Sequence, residues 1–227
     1  ADMPAGSPFS MMGAVPSVLW VDEKLRCGRP LPMSWADLLE PMWIGDISID
    51  NLRFIDNNMV CLLLYLLFGE EGLRKILGSV RYSVSNVVSN LNLDGNTAAV
   101  HVTLLPFVRS LADNPRVTIV WPSEGAAAGV QLALFRRDLD EVGNAVRSFL
   151  FSERWSAIMT KNGTPAAMAT KTPLIAPADE PRIVGGSSSE RKLFWPGWDV
   201  LDAFDFEGFN QLVREILAGY EIRGVTA

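Results

Sequence analysis

Residues 15–21 are the segment that most constrains the fold. They read Val-Pro-Ser-Val-Leu-Trp-Val, a run that is apolar except for one serine. A strand with a single buried face alternates apolar and polar residues, whereas a nearly continuous apolar run is typical of a strand buried on both faces. The segment therefore predicts a central strand with packed layers above and below it.

Strand-like and helix-like segments alternate along the rest of the chain. Further strands are predicted at residues 46–49, 97–103, 117–121 and 130–135. Helices are predicted at residues 34–40, 57–68, 70–77, 85–91, 106–113, 139–150, 152–160 and 206–217, and residues 171–190 are predicted to be a surface loop. Alternation of this kind indicates an α/β sandwich.

Charge and apolar run length exclude two classes of protein. The formal net charge is −6 and the sequence pI is about 4.9, whereas a nucleic-acid-binding protein needs a concentrated basic face. The longest apolar run covers residues 59–68, and a membrane-spanning helix needs about 20 apolar residues. We therefore expect no nucleic-acid partner, and we expect residues 59–68 to be a buried helix.

Histidine and cysteine content limits the chemistry. His101 is the only histidine of the sequence, which removes most Ser-His and Cys-His catalytic arrangements and any multi-histidine metal site. Cys27 and Cys61 fit no metal-ligand spacing, and whether they pair stays open. We expect no catalytic residue, no metal and no cofactor, and we interpret His101 as a core residue more readily than as a ligand.

Residues 32–49 carry the clearest motif of the chain. They read Pro-Met-Ser-Trp-Ala-Asp-Leu-Leu-Glu-Pro-Met-Trp-Ile-Gly-Asp-Ile-Ser-Ile. This resembles the segment P-x-(S/T)-W-x-D-L-L-x-P-x-W-x-G-x-I-x-I of the type II periplasmic solute-binding proteins of ABC importers. Weaker resemblances follow in the family's order at residues 13–22, 117–125, 145–165 and 194–199. Together they are similar to the iron/sugar-phosphate-like branch of that family.

The resemblance implies a type II periplasmic-binding-protein fold, here an α/β lobe plus the returning part of a second lobe. Residues 1–24 would hold a first-lobe remnant and the first crossing, residues 25–105 the second lobe, and residues 106–227 the return crossing and terminal helices. In the family the 32–49 motif comes about halfway along, so the opening part of the first lobe looks absent here. Apolar surface would then stay uncovered, which makes a homodimer an expected partner arrangement.

The resemblance also implies a function. We expect an extracytoplasmic, periplasmic or extracellular, solute-binding component of an ABC transporter that docks on a membrane permease and has no enzymatic activity. A small polar or anionic solute would bind in a cleft between the lobes. An enzyme or a ligand-sensing effector domain on the same fold is the alternative.

Candidate ligand-binding residues follow strands or precede helices, where unpaired N–H groups can meet an anion. Asp50, Asn51 and Arg53 follow one predicted strand, and Arg53 could bind a carboxylate or phosphate through two hydrogen bonds. Each candidate also has an ordinary structural interpretation as a polar turn, a helix cap or a surface side chain. The remaining candidates are Ser10, Ser85, Asn86, Thr103 and Glu124.

Ferric iron is a less suitable solute than an organic molecule or an oxyanion. Iron-binding members of this branch often supply adjacent tyrosines, whereas Tyr65, Tyr82 and Tyr220 are far apart in this sequence.

Overall fold

A computed structural model describes residues 7–52, 59–83, 93–164, 183–186 and 190–220. Its strands are β1 (Phe9–Asp22), β2 (Ile47–Ile49), β3 (Val80–Tyr82), β4 (Val100–Leu104), β5 (Val117–Val120), β6 (Ala126–Leu134), β7 (Ile183–Val184) and β8 (Leu193–Phe194). Its α-helices are α1 (Glu23–Arg26), α2 (Met59–Gly78), α3 (Leu105–Val108), α4 (Glu141–Leu150), α5 (Glu153–Lys161), α6 (Trp198–Ala203) and α7 (Phe206–Ala218). Short 3-10 helices cover Ala36–Leu39, Pro41–Trp43, Leu93–Gly95 and Arg109–Leu111.

One mixed sheet connects these strands, in the order β3-β2-β4-β1-β5-β7. Strand β1 pairs antiparallel with β4 and β5 through its second half and antiparallel with β6 through its first half. The β2–β3, β2–β4, β5–β7 and β6–β8 pairs are parallel. The strand predicted at residues 15–21 is therefore the central strand of the sheet.

The two faces of β1 contribute side chains to two apolar clusters, because successive side chains of a strand point to opposite faces. Leu19 and Val21 belong to a large cluster that is covered by α2 and α7. Val18 and Trp20 belong to a smaller cluster with residues of α3, β5 and β7. Both layers expected above and below the central strand are present.

Helix boundaries follow local sequence signals. Helix α2 is interrupted at Gly69, which has φ 66° and ψ −169°, so the break predicted between residues 68 and 70 is observed. Ser34 accepts a hydrogen bond from the Asp37 amide while the Asp37 carboxylate accepts from the Ser34 amide, a reciprocal capping arrangement. The element that they cap is a 3-10 helix, shorter than the helix predicted at residues 34–40.

Other sequence-based boundaries changed more. Glu23–Arg26 is a helical turn that the sequence analysis does not predict, and it forms because Asp22 caps the amides of Lys24 and Leu25. Strand β6 starts at Ala126, four residues before the predicted strand, because its alanines pair with Pro16 and Ser17 of β1.

Cys27 is exposed and Cys61 is buried, and both are free thiols.

A buried ion pair closes the end of the sheet where β1 finishes. The carboxylate of Asp22 is fully buried and lies 2.7 Å from Nη2 of Arg116. Burial acts to raise the pKa of Asp22, but hydrogen bonds from Arg116 and Asn96 and the Arg116 charge outweigh it and lower the pKa below its usual value. Asn96 also accepts a hydrogen bond from the Tyr82 hydroxyl. This network joins β1, β3 and the start of β5.

His101 lies in the middle of the sheet and is a core residue, as the sequence favoured. Its ring stacks on the cross-strand neighbour Trp20, with centroids 3.8 Å apart and planes 6° apart. Nε2 lies 2.9 Å from the Ala98 carbonyl oxygen, which can only accept, so Nε2 carries the proton. Nδ1 is buried and finds no hydrogen-bond partner in the described part of the chain. Burial lowers the pKa of His101 to about 4.

This buried imidazole should make stability depend on pH. The folded pKa of about 4 is below the ordinary 6.5, so between these values the unfolded chain binds the extra proton. Stability contributed by neutral His101 should therefore be complete above pH 6.5 and fall by roughly 3 kcal/mol as pH drops to 4. Urea unfolding at several pH values checks this.

The control is His101→Phe, which keeps a stacking ring but cannot titrate. The free energy of unfolding of this variant should change less between pH 6.5 and pH 4 than that of the native chain. Equal pH slopes in the two proteins would contradict the assignment.

Candidate functional site

A cavity of about 320 Å³ lies at the end of the parallel strands β2 and β4. In open α/β sheets, ligands bind beyond the carboxyl ends of the strands, which is where this cavity lies. Strands β1 and β6 and the beginning of α2 complete its wall. The lining residues are Val15, Ser17, Ile49, Asp50, Asn51, Met59, Val60, Val102, Thr103, Leu104, Gly129, Val130 and Gln131.

The turn after β2 places Asp50 and Asn51 in this wall. The Asp50 amide donates to the Val102 carbonyl at 3.1 Å, which continues the β2–β4 pairing by one residue. Asn51 has φ 60°, a left-handed conformation that asparagine tolerates better than most residues. The Leu52 amide then donates to the Ser83 hydroxyl at 3.0 Å, and the Leu52 side chain is buried. The turn is therefore fixed at both ends.

Thr103 and Asp50 form the polar centre of the cavity wall. The Thr103 hydroxyl donates to the Asp50 carboxylate, and both residues are buried. This hydrogen bond holds the carboxylate group in one orientation. The pair therefore presents a fixed carboxylate at the cavity surface.

Two further polar residues line the cavity and were not predicted. Ser17 is the serine inside the apolar run of β1, and Gln131 is the polar residue inside the apolar part of β6. The Gln131 Oε1 atom is buried and has no hydrogen-bond partner among the residues that the structure describes. Buried polar atoms are normally paired, so an unpaired acceptor beside a cavity is a candidate ligand contact. A polar residue interrupting a buried strand is the sequence signal that would have identified both.

The sequence-predicted site residues are only partly brought together. Asp50, Asn51 and Thr103 meet in the cavity. Ser10 lies near the outer end of β1, where it lines a different and open cavity of about 360 Å³ with Asn144, Arg147, Ser148 and Phe151. Arg53, Ser85 and Asn86 lie outside the residues that the structure describes.

Glu124 is engaged in contacts within the protein. Its carboxylate accepts hydrogen bonds from the amides of Trp35 at 3.0 Å and Ala36 at 3.1 Å, at the start of the Ala36–Leu39 turn. The indole Nε1 of Trp35 donates to the Gly125 carbonyl at 2.8 Å. Gly125 has φ 112° and lies against the backbone of residues 192–194, where a side chain would be strained. Glu124 therefore joins two loops and does not line the cavity.

Other candidate chemistry is absent from the described part of the chain. Its His, Cys, Asp and Glu residues form no group of three or more able to hold a metal ion. None of the described helices is long and apolar enough to cross a membrane. The Tyr82 hydroxyl bonds to Asn96, and Tyr65 packs against Phe204 and Phe209, so neither lines the cavity.

Comparison with known proteins identifies the type of protein that has this fold. A family model described as "Bacterial extracellular solute-binding protein" matches residues 3–203. A comparison with curated proteins finds no similar sequence.

Several solved structures share the fold at low sequence identity. Iron-bound HitA from Pseudomonas aeruginosa has a TM-score of 0.66 and 16% identity, covering 95% of this chain and 71% of that one. A two-component system protein described as mediating signal transduction has a TM-score of 0.65 and 13% identity, covering 90% and 69%. IdiA (FutA) from Trichodesmium, in complex with iron and citrate, has a TM-score of 0.63 and 13% identity, covering 96% and 70%. The chain thus spans about 70% of the length of these structures.

Removal of the Glu124 carboxylate should destabilise the folded chain. Replacing Glu124 by Ala removes the acceptor for two amides, which should lower the free energy of unfolding by about 1–2 kcal/mol. Glu124→Gln retains one acceptor oxygen and should cost less. Chemical denaturation of both variants checks this order. Unchanged stability in Glu124→Ala combined with loss of solute binding would show that Glu124 acts as a ligand contact.

Proposed function

The chain belongs to the family of bacterial extracellular solute-binding proteins, and we propose that it binds a small polar or anionic solute in the cavity beside Asp50 and Thr103. The expected α/β fold of the type II periplasmic binding proteins and the location outside the cytoplasm are confirmed with the family. The single observation that carries the choice of site is the buried Thr103–Asp50 pair in the cavity wall.

The cavity suits an organic solute better than a bare metal ion. Seven of its lining residues are valine, isoleucine, leucine or methionine, and its polar groups are a carboxylate, hydroxyls and amides. Ligand sites of small molecules combine apolar walls with a few fixed polar groups in this way. HitA and the Trichodesmium protein are described with iron, but no described tyrosine lines the cavity here. We therefore favour a solute with hydroxyl, amide or acid groups.

We propose that solute binding by this chain serves transport. The chain would deliver its solute to an ABC permease in the membrane and would carry out no chemistry on it. Its family is one of solute-binding proteins, which supports this role. An enzyme on the same fold is the alternative, since one fold hosts many activities.

Ligand sensing is a second candidate function. The similarity to a two-component signal-transduction protein favours it, because the same fold can report a solute to a signalling partner. The two functions share the binding step and differ in the partner that recognises the loaded protein.

The proposed domain division places the cavity next to the crossing strands. Residues 1–24, 25–105 and 106–227 would be the first crossing, the second lobe and the return. Cavity residues of β1 and β6 come from the first and third parts, and those of β2, β4 and α2 come from the second.

We also propose that the chain forms a homodimer, which the exposed apolar side chains of α4 support.

A solute panel tests the binding site. Calorimetry with citrate, inorganic phosphate, glucose and glycerol should give at least one binding isotherm with the native chain. Thr103→Val should weaken that binding about tenfold, because it removes a hydroxyl from the cavity wall and a donor from Asp50.

If the solute is anionic, Arg53→Ala should cost about 1.5–3 kcal/mol of binding free energy.

Thr118→Val is the matched control, because Thr118 also donates to a carboxylate, that of Glu23, but lies outside the cavity. The affinity of the Thr118→Val variant for the solute should equal that of the native chain. Equal weakening by both threonine variants would remove Thr103 from the site, and turnover of a bound solute into product would favour an enzyme.

A further inference from the structure

The side-chain oxygen of Gln131 is an acceptor that the described protein leaves unpaired. Gln131 lines the same cavity as Asp50 and Thr103, and its Oε1 atom is buried without a hydrogen-bond partner among the described residues. Buried acceptors are normally paired, because an unpaired one has lost its bonds to water without replacing them. A solute that donates a hydrogen bond to this oxygen removes that penalty, whereas a solute that brings a second acceptor does not.

The strand pairing leaves open space beside Gln131. Its partner across the β1–β6 pair is Gly13, and Gly129 lies two positions earlier in β6. Paired residues, and residues two apart in one strand, share a face of the sheet. Two of the positions next to Gln131 on that face therefore carry no side chain, and Gly129 also lines the cavity. A solute group can approach Gln131 through the space that two side chains would otherwise fill.

The neighbouring polar groups of the cavity wall are also acceptors. The Thr103 hydroxyl gives its single hydrogen to Asp50, so the Thr103 oxygen can only accept a hydrogen bond from a solute. Asp50 is the one ionisable side chain among the described residues that line the cavity, and a carboxylate accepts without donating. A solute carboxylate or phosphate at this place would meet acceptors with acceptors, and a donor group would not.

We propose that the solute carries an amine, and that its ammonium group donates a hydrogen bond to the Gln131 oxygen. An ammonium group has several hydrogens to donate and no acceptor, which complements this part of the wall. Its positive charge also strengthens each hydrogen bond relative to that of a neutral donor. The carbon body of the solute would contact the apolar wall, which includes Val15, Ile49 and Met59. Gln131 is then the residue that selects the solute's head group.

This inference rests on the proposed solute site and adds an amine to the polar groups of the solute. Hexylamine, hexanol and hexanoate test it, because they share one carbon chain and differ only in the head group. Calorimetry of the native chain at neutral pH should show hexylamine binding at least about tenfold more tightly than hexanol, and hexanoate binding most weakly.

Variants of Gln131 test the contact itself. Gln131→Met keeps an unbranched side chain of similar length but removes the acceptor, so hexylamine should bind about tenfold more weakly. Gln131→Glu keeps an acceptor and adds a negative charge, so it should bind hexylamine more tightly than the native chain does. Gln211→Met is the matched control, since Gln211 is an exposed residue of α7 that donates to Glu215 at 2.8 Å and lies outside the cavity. Its affinity for hexylamine should equal that of the native chain.

The outcomes separate the amine from the site. Hexanoate binding more tightly than hexylamine, and weakened by Thr103→Val, would overturn the amine and leave the solute site standing. Hexylamine affinity that is unchanged in Gln131→Met, or lowered equally in Gln211→Met, would overturn the role of Gln131. If neither these three probes nor citrate, phosphate, glucose and glycerol bind the native chain, the inference and the proposed site both fail.

Discussion

The backbone pairing of β1 is the constraint on which the rest of the structure depends. Its 14 residues pair with three other strands, and residues 19–21 are bonded on both edges. A strand with two full partners and two covered faces has no freedom to slip, because a shift of one residue would turn each side chain to the opposite face. Val18 and Trp20 on one face and Leu19 and Val21 on the other therefore fix the position of every layer.

The cavity is a consequence of how β1 changes partners. Pairing with β4 stops at Ser17, while β6 continues along the other edge of β1 to Phe9, so among the described strands the β4 edge of β1 is left open beside the end of β4. A bulge between Met11 and Gly13 adds one residue to β1 opposite Gln131. Bulges commonly redirect side chains beside functional sites, which agrees with the position of Gln131 in the cavity wall. The polar groups of the site are thus fixed by backbone pairing more than by loop sequence.

The sequence predicted most strands and the family because those features depend on local patterns. The apolar run of residues 15–21, the Gly69 break and the reciprocal hydrogen bonds between Ser34 and Asp37 are all determined within a few residues. Asp50, Asn51 and Thr103 lie in one cavity wall, since a polar residue that follows or ends a buried strand is a local signal, and their ligand-binding role stays a prediction. Arg53, Ser85 and Asn86 stay predictions.

The positions of Glu124 and Ser10 depend on long-range contacts, which local sequence patterns do not predict. Glu124 looked like a cleft residue, but its oxygens accept from amides 88 and 89 positions away in sequence. Ser10 lies at the right position along β1 for a crossing strand, yet it faces α4 and not the cavity. Both outcomes depend on which loop or helix lies opposite, and a one-dimensional pattern does not contain that information.

The β1–β6 ribbon connects the proposed ligand site with helix α4. Residues 129–131 of β6 line the cavity, and residues 132–134 continue the same strand toward the outer end of β1, where Ser10 lies beside α4. The same backbone pairing therefore holds Ser10 beside α4 and Gln131 in the cavity wall. The bulge between Met11 and Gly13 lies between these two positions, so its extra residue sets how the outer part of the ribbon turns relative to the cavity wall.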